Sequence, residues 1–150
     1  MLDIRQVSVD DFFDDPETDR LLSDYANECS IAGMPRPIPH AGSYHALEST
    51  GAFFIFGAYI DGKLIGFMSV VMPILPHYSV RTATMESFFV SPNHRKGGTG
   101  LKLIKHVEVF SAEQGAVGLL ITAPADSRLE KMLSRFDYRH TNTVFFRKLA

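Results

Sequence analysis

The spacing of apolar residues changes along this chain, and the changes mark its elements. Residues 1–7 alternate apolar and polar side chains, the period-two pattern of a strand. Asp14-Asp15-Pro16-Glu17 combines an acidic cap with a proline in the first turn, which predicts a helix start. Leu21, Leu22, Tyr25 and Ala26 then recur at helical spacing, giving a helix to about Ile31. Pro35, Pro37 and Pro39 remove backbone donors from residues 33–40, so that stretch is predicted to be irregular. A short helix is expected around Tyr44–Ser49.

From residue 52 the pattern becomes that of strands. Ala52–Ile60, the turn Asp61-Gly62 and Leu64–Met72 read as a hairpin, and Thr82–Val90 as a further strand after a loop at 73–79. Residues 99–114 are predicted helical, with Leu103, Ile104, Val107 and Phe110 as a core stripe opposite Lys102, Lys105, His106 and Glu113. Gly115 is the expected stop. Val117–Ala123 reads as a buried strand, Asp126 or Ser127 as the cap of a helix over 128–135, and Thr141–Leu149 as a closing strand. Strand, glycine loop, helix and strand make a βαβ crossover, so 82–90 and 117–123 are predicted to be parallel neighbours. The fold class is therefore α/β, and 150 residues are expected to form a single domain over 1–150.

Composition narrows the function classes. With 45% hydrophobic and 21% charged residues and a net charge of −2, the chain lacks the basic excess of a general nucleic-acid binder. Its longest apolar runs, such as Ala52–Ile60, are too short to span a bilayer, and Met1–Arg5 carries no signal-peptide pattern. Cys29 is the single cysteine, so neither an intramolecular disulfide nor a zinc framework is expected, and a reducing cytoplasm is the natural location. The six histidines show no metal-ligand spacing with a nearby acid, so no metal is expected.

The chemistry concentrates in His94-Arg95-Lys96-Gly97-Gly98-Thr99-Gly100, between the apolar run Phe88-Phe89-Val90 and the helix beginning near Leu101. Glycines let successive N–H groups turn toward one point, and the helix N-terminus adds its partial positive charge, which together suit a phosphate or pyrophosphate. No Gly-Lys-Ser/Thr occurs, which excludes a P-loop. Gly98-Thr99-Gly100 is followed at the third position by Leu103, so the packing glycine of the dinucleotide fingerprint is missing.

Arg95-x-x-Gly98-x-Gly100 after a strand ending in Val90-Ser91-Pro92 resembles the acyl-CoA pyrophosphate loop of the GNAT acetyltransferase superfamily, Arg/Gln-x-x-Gly-x-Gly/Ala. The specific match covers roughly residues 53–148, and the element order is similar throughout. The resemblance implies a mixed sheet of about six to seven strands, with splayed parallel strands at its centre, flanked by about four helices. It implies acetyl-CoA as acyl donor, lying with its pyrophosphate at the amides of Arg95, Lys96, Gly97, Gly98, Thr99 and Gly100. Its pantetheine arm would pair with Phe88, Phe89 and Val90, and Asp126 falls where relatives often hold the cofactor arm through an asparagine. Arg95 or Lys96 would add side-chain charge.

The implied activity is acetyl transfer to a primary amine by direct attack in a ternary complex. An amine with a pKa of about 10 arrives protonated and needs a base. Glu86 is the candidate: family members often carry a glutamate near this strand position, and period two places it on one face with Phe88 and Val90, amid Met85, Phe88 and Phe89. A backbone N–H of Phe89 or Val90 would meet the oxyanion. Where relatives end a helix in Tyr-x-Lys-x-Gly-Phe, this chain has Leu133-Ser134-Arg135-Phe136-Asp137-Tyr138, so leucine replaces the tyrosine acid. Tyr138 is expected in the core, with Tyr78 and Ser134 as substitutes to weigh. Residues 33–45, with His40, Tyr44 and His45, fall where relatives shape the acceptor pocket. The missing tyrosine keeps an alternative alive, a catalytically inactive CoA-binding sensor or interaction module. Many relatives form homodimers, although no residue here marks an interface. The resemblance brings no nucleic-acid or membrane partner.

Overall fold

The computed structural model describes residues 1–150. In chain order the elements are β1 (Leu2–Val7), α1 (Val9–Asp14), α2 (Thr18–Glu28), α3 (Ala41–Glu48), β2 (Phe53–Ile60), β3 (Lys63–Val71), β4 (Ile74–Leu75), β5 (Val80–Arg81), β6 (Ala83–Val90), α4 (Thr99–Glu113), β7 (Leu119–Leu120) and α5 (Arg128–Arg135). A 3₁₀ turn, Pro92–His94, leads from β6 into the glycine loop. Five strands form one sheet in the order β1-β2-β3-β6-β7, and β4 and β5 form a separate ribbon within the predicted loop. All neighbours in the large sheet are antiparallel except β6 and β7, which are parallel as the crossover requires. The architecture is the mixed, helix-flanked sheet expected, with five strands in the sheet and two in the ribbon.

Each face of the sheet buries its own core. On one face Val9, Phe12 and Leu21 of α1 and α2 pack against Phe53, Ile55, Tyr59, Leu64, Phe67 and Phe89. On the other, Leu103, Ile104 and Val107 of α4 and Leu133 of α5 pack against Phe56, Ile65, Met68, Val70, Met72 and Ala83. The predicted helical stripe of α4 is thus the element that covers the second face, with Phe110 packed at its margin. Asp61 and Gly62 both take positive φ, 50° and 77°, the geometry of the two-residue turn that matches strand twist.

Three elements differ from expectation. Helix α1 was not predicted, yet Ser8 caps it, its Oγ accepting the Asp11 N–H at 3.0 Å, and Glu48 Oε2 accepts the Val9 N–H at 2.8 Å. The buried strand expected over 117–123 shrinks to Leu119–Leu120, with Val117 and Leu120 exposed. Ser127, one of the two caps expected for α5, serves through its Oγ, which accepts the Glu130 N–H at 3.2 Å. The closing strand at 141–149 does not form: residues 139–150 carry no regular structure. The reason lies at both ends of the pairing. β7 offers only two laddered residues as an edge, and the chain instead turns Phe146 onto Gly33, where a Cβ would meet its ring at 3.1 Å.

Candidate active site

Strands β6 and β7 pair only at Ala83–Leu119 and Thr84–Leu120. Beyond that point β6 runs on to Val90 with β3 on one side and no strand on the other, which opens the centre of the sheet. The peptide geometry fixes which groups face the gap. Ser91 N–H donates to the Ile65 carbonyl of β3 at 2.8 Å, so the Val90 carbonyl of the same peptide points the opposite way. The Phe89 carbonyl lies toward β3, only 2.9 Å from where Gly66 would carry a Cβ, so the Val90 N–H faces the gap as well. Alternation carries Phe89 inward to β3 and gives Phe88 the same outward aspect as Val90. Of the two N–H groups expected to face a reacting carbonyl, only that of Val90 is exposed to the gap.

The glycine loop continues from this edge. Gly97 and Gly98 take φ of 89° and 80°, a left-handed pair that only glycine adopts without strain. Open space surrounds both Cα positions. Helix α4 begins at Thr99 and its first internal bond is Lys102 N–H to the Gly98 carbonyl at 2.9 Å. The Arg95 N–H, expected among the loop donors, goes instead to the Pro92 carbonyl at 3.4 Å, closing the 3₁₀ turn, while the six N–H groups from Lys96 to Leu101 donate to no backbone carbonyl. Gly100 sits against β6, where a Cβ would meet Phe88 Cζ at 3.3 Å, so glycine lets the helix start lie close to the strand. A run of unpaired amides at the positive end of a 15-residue helix has the donors and the partial charge that suit an anion.

The two loop cations behave differently. Arg95 turns back onto the protein: Nε donates to the Val90 carbonyl at 2.8 Å, Nη2 meets Glu28 Oε2 at 2.7 Å, and the guanidinium lies 5.2 Å over the Phe89 ring. Lys96 is exposed and in no ion pair. Asp126 is exposed at φ 62°, its N–H donating to Glu130 Oε2, and its carboxylate is free of the helix cap.

Glu86 does not share a face with Phe88 and Val90. Ser69 pairs with Ser87 and Val70 with Met85, so Glu86 is an extra residue in β6, a β-bulge. The bulge resets the alternation and puts Glu86 beside Ser87 on the α1–α3 face, while Phe88 packs toward α4. Instead of sitting amid Met85 and Phe88, the exposed carboxylate accepts two hydroxyl bonds: Ser69 Oγ to Oε1 at 3.0 Å and Tyr44 Oη to Oε2 at 3.1 Å. Ser87 Oγ lies 2.7 Å from Ser69 Oγ, and because the Ser69 hydrogen goes to Glu86, Ser87 donates. Burial, followed by the charge of Glu86 and the bond to it, holds the Tyr44 hydroxyl far above its ordinary range. Burial, then the charges of Cys29 and Glu86, pushes Tyr25 up to about 12. Both phenols are neutral donors at any working pH.

The remaining candidates fall elsewhere. Leu133 is buried in the α4–α5 core. Tyr138 packs at the edge of that core and donates its hydroxyl to the Glu108 carboxylate, and burial raises its pKa. Tyr78 is exposed in the ribbon turn, and Ser134 Oγ donates to the Glu130 carbonyl within its own helix. No group of three or more His, Cys, Asp and Glu side chains is placed to hold a metal ion, and no helix is long and apolar enough to cross a membrane. The sequence pattern held no signal for Ser69, Ser87 or Glu28, and marked Tyr25 only as part of the apolar stripe of α2. Only Tyr44 had carried a signal for the site, through its place beside the proline segment.

The fold and this loop define an acetyltransferase class. Residues 9–138 match the acetyltransferase (GNAT) family, and the chain belongs to it. Among solved structures, a ribosomal-protein-alanine N-acetyltransferase from Brucella melitensis biovar Abortus 2308 is similar with a TM-score of 0.75 and 21% identity, covering 99% of each chain. An aminoglycoside acetyltransferase from an uncultured soil metagenomic sample, in complex with sisomicin, is similar with a TM-score of 0.76 and 18% identity over 99% of this chain and 97% of that one. A Trypanosoma brucei acetyltransferase gives 0.73 and 14% over 99% and 100%. At these identities the likeness is one of fold. No curated protein sequence matches.

Proposed function

We propose that this chain, as a single domain, is an acetyl-CoA-dependent N-acetyltransferase that moves an acetyl group to a primary amine by direct transfer in a ternary complex. The observation that carries the reading is a junction: unpaired loop amides, the open main chain of Val90 and the Glu86 carboxylate meet along one strand and its exit. The amides of Lys96–Leu101 fit a pyrophosphate, with Lys96 as the side-chain charge and Asp126 near the arm. Phe88 and Val90 offer outward main chain for an amide-bearing pantetheine, and Phe89 lends its ring to the seat of Arg95. The bound thioester supplies the electrophilic acetyl carbon.

Glu86 removes a proton from the ammonium, directly or through water, before the freed lone pair attacks the thioester carbon. The Val90 N–H stabilises charge on the acetyl oxygen, and as the C–S bond breaks the nitrogen sheds its second proton to solvent or the departing thiolate. The bulge directs Glu86 to the α1–α3 face, so the acceptor arrives from that side, past Tyr25, Tyr44 and the proline segment. With Leu133 in the core, the thiolate departs without a helix tyrosine, which a thiol pKa of about 8.5 permits. Solved relatives act, by their names, on a ribosomal-protein alanine and on aminoglycosides, and both acceptors present an amine.

Titration calorimetry with acetyl-CoA, and with NAD and ATP as controls, tests the donor. Micromolar binding of acetyl-CoA corresponds to about −8 kcal/mol, and silence from NAD and ATP is expected. A screen of amines for CoA-thiol release tests the transfer. Absence of acetyl-CoA binding overturns the reading.

A further inference from the structure

We infer that Tyr44 is a positioning residue that aims the Glu86 carboxylate at the incoming amine. The inference rests on the reading of Glu86 as the base. A glutamate at a bulge on a strand surface has three side-chain torsions free and an exposed head, so its direction must be imposed by bonds. Two hydroxyls impose it, one on each oxygen: Ser69 from the neighbouring strand and Tyr44 from α3. Ser69 is itself held by Ser87 at 2.7 Å, so that side is rigid. Each carboxylate oxygen keeps one lone pair, and only these remain for the proton of the acceptor.

Tyr44 is equally fixed. Its ring packs against Phe13 at 5.7 Å and Phe53 at 5.4 Å between centroids. Its helix is tied to α1 by Glu48, which accepts the Val9 N–H, and by His45 Nε2, 3.1 Å from Asp10 Oδ1. Helix α3 directly follows the segment 33–40 that borders the acceptor approach, so the orientation of the base depends on the element nearest the acceptor. The titratable groups facing Glu86 are Tyr25 from α2 and Tyr44 from α3, and both stay protonated over the pH range of an assay. Tyr44 spends its one hydroxyl hydrogen on Glu86 and so works through the carboxylate.

The test uses Tyr44→Phe, which keeps the ring in its aromatic seat and removes only the hydroxyl, with Ser69→Ala as the second variant. Once an amine is turned over, Tyr44→Phe should lower kcat about tenfold through loss of a hydrogen bond to a charged group, with KM for acetyl-CoA unchanged. A purely structural tyrosine would instead move stability or KM and leave kcat in place. A double-mutant cycle of Tyr44→Phe with Glu86→Ala, read by urea denaturation, reports the bond without turnover and should be non-additive. Additive changes overturn the coupling. An active wild type whose kcat is untouched by Tyr44→Phe overturns the role of Tyr44 alone. A wild type that binds acetyl-CoA but acetylates no amine overturns the transferase reading and this role with it.

Discussion

Glu28 on α2 and Arg95 in the glycine loop meet at 2.7 Å, and the same guanidinium holds the Val90 carbonyl at 2.8 Å. The arginine of the loop motif is thus a brace between helix, loop and strand edge. Glu28→Gln should cost at most about 1 kcal/mol, since the pair is partly exposed. Arg95→Ala removes the ion pair, the carbonyl bond and the ring contact together, and about 2 kcal/mol is expected. Urea denaturation of the two variants checks the ordering.

Lys96, the exposed neighbour, should behave in the opposite way. Lys96→Ala is expected to leave stability unchanged and to weaken acetyl-CoA binding about threefold to tenfold at low salt, a difference that shrinks as salt is added. Calorimetry at two ionic strengths separates it from Arg95→Ala.

Two glycines of the loop should fail for different reasons. Gly98→Ala forces a left-handed alanine into open space and should cost about 1–2 kcal/mol of stability. Gly100→Ala lies within a helix, where alanine is favoured, but its Cβ would press on Phe88 at 3.3 Å. It should shift the helix start away from β6 and lower acetyl-CoA affinity with little loss of stability, which calorimetry and denaturation together would show.

Glu86→Gln is expected to lower turnover by about a hundredfold to ten-thousandfold, with acetyl-CoA affinity within about twofold of wild type. A variant that retains full rate would remove Glu86 from the mechanism.

The tyrosines predict an alkaline weakness. Tyr25 is pushed up to about 12, and burial also raises Tyr44, Tyr59 and Tyr138 from the ordinary 10.0. The folded state holds protons that the unfolded chain releases, so this contribution is whole below pH 10 and is lost as pH rises through the folded values. Burial also raises the Cys29 thiol above its ordinary 9.0, so urea midpoints measured from about pH 7 upward should begin to fall at about pH 9 and fall further above about pH 10.

Periodicity made most of the framework legible, because the elements that bury a face announce it. Leu103, Ile104 and Val107 predicted α4, and Asp61-Gly62 predicted the hairpin turn. The glycine loop was legible because left-handed backbone demands glycine. Helix α1 carries a signal in the Ser8 cap and the apolar Val9 and Phe12, but its six residues are too few for helical periodicity to mark, and the stronger proline signal lies just after it. The face of Glu86 could not be read at all. A bulge depends on how two strands pair, and period-two reasoning assumes that neither strand carries an extra residue. The 141–149 segment has strand composition, but composition does not say whether an edge is available to receive it.

That extra residue separates the scaffold from its chemistry. Seven residues of β6, Thr84–Val90, lie opposite six of β3, Gly66–Val71. A chain with Glu86 deleted would have equal counts, so the ladder would close and Met85, Ser87, Phe88 and Phe89 would keep their present faces. Such a protein should fold and still seat acetyl-CoA, while no carboxylate remained to meet an amine. With Glu86 as the proposed base, the strand would carry its reactive group as a detachable unit, so that activity could be gained or lost by one residue of length without rebuilding the core.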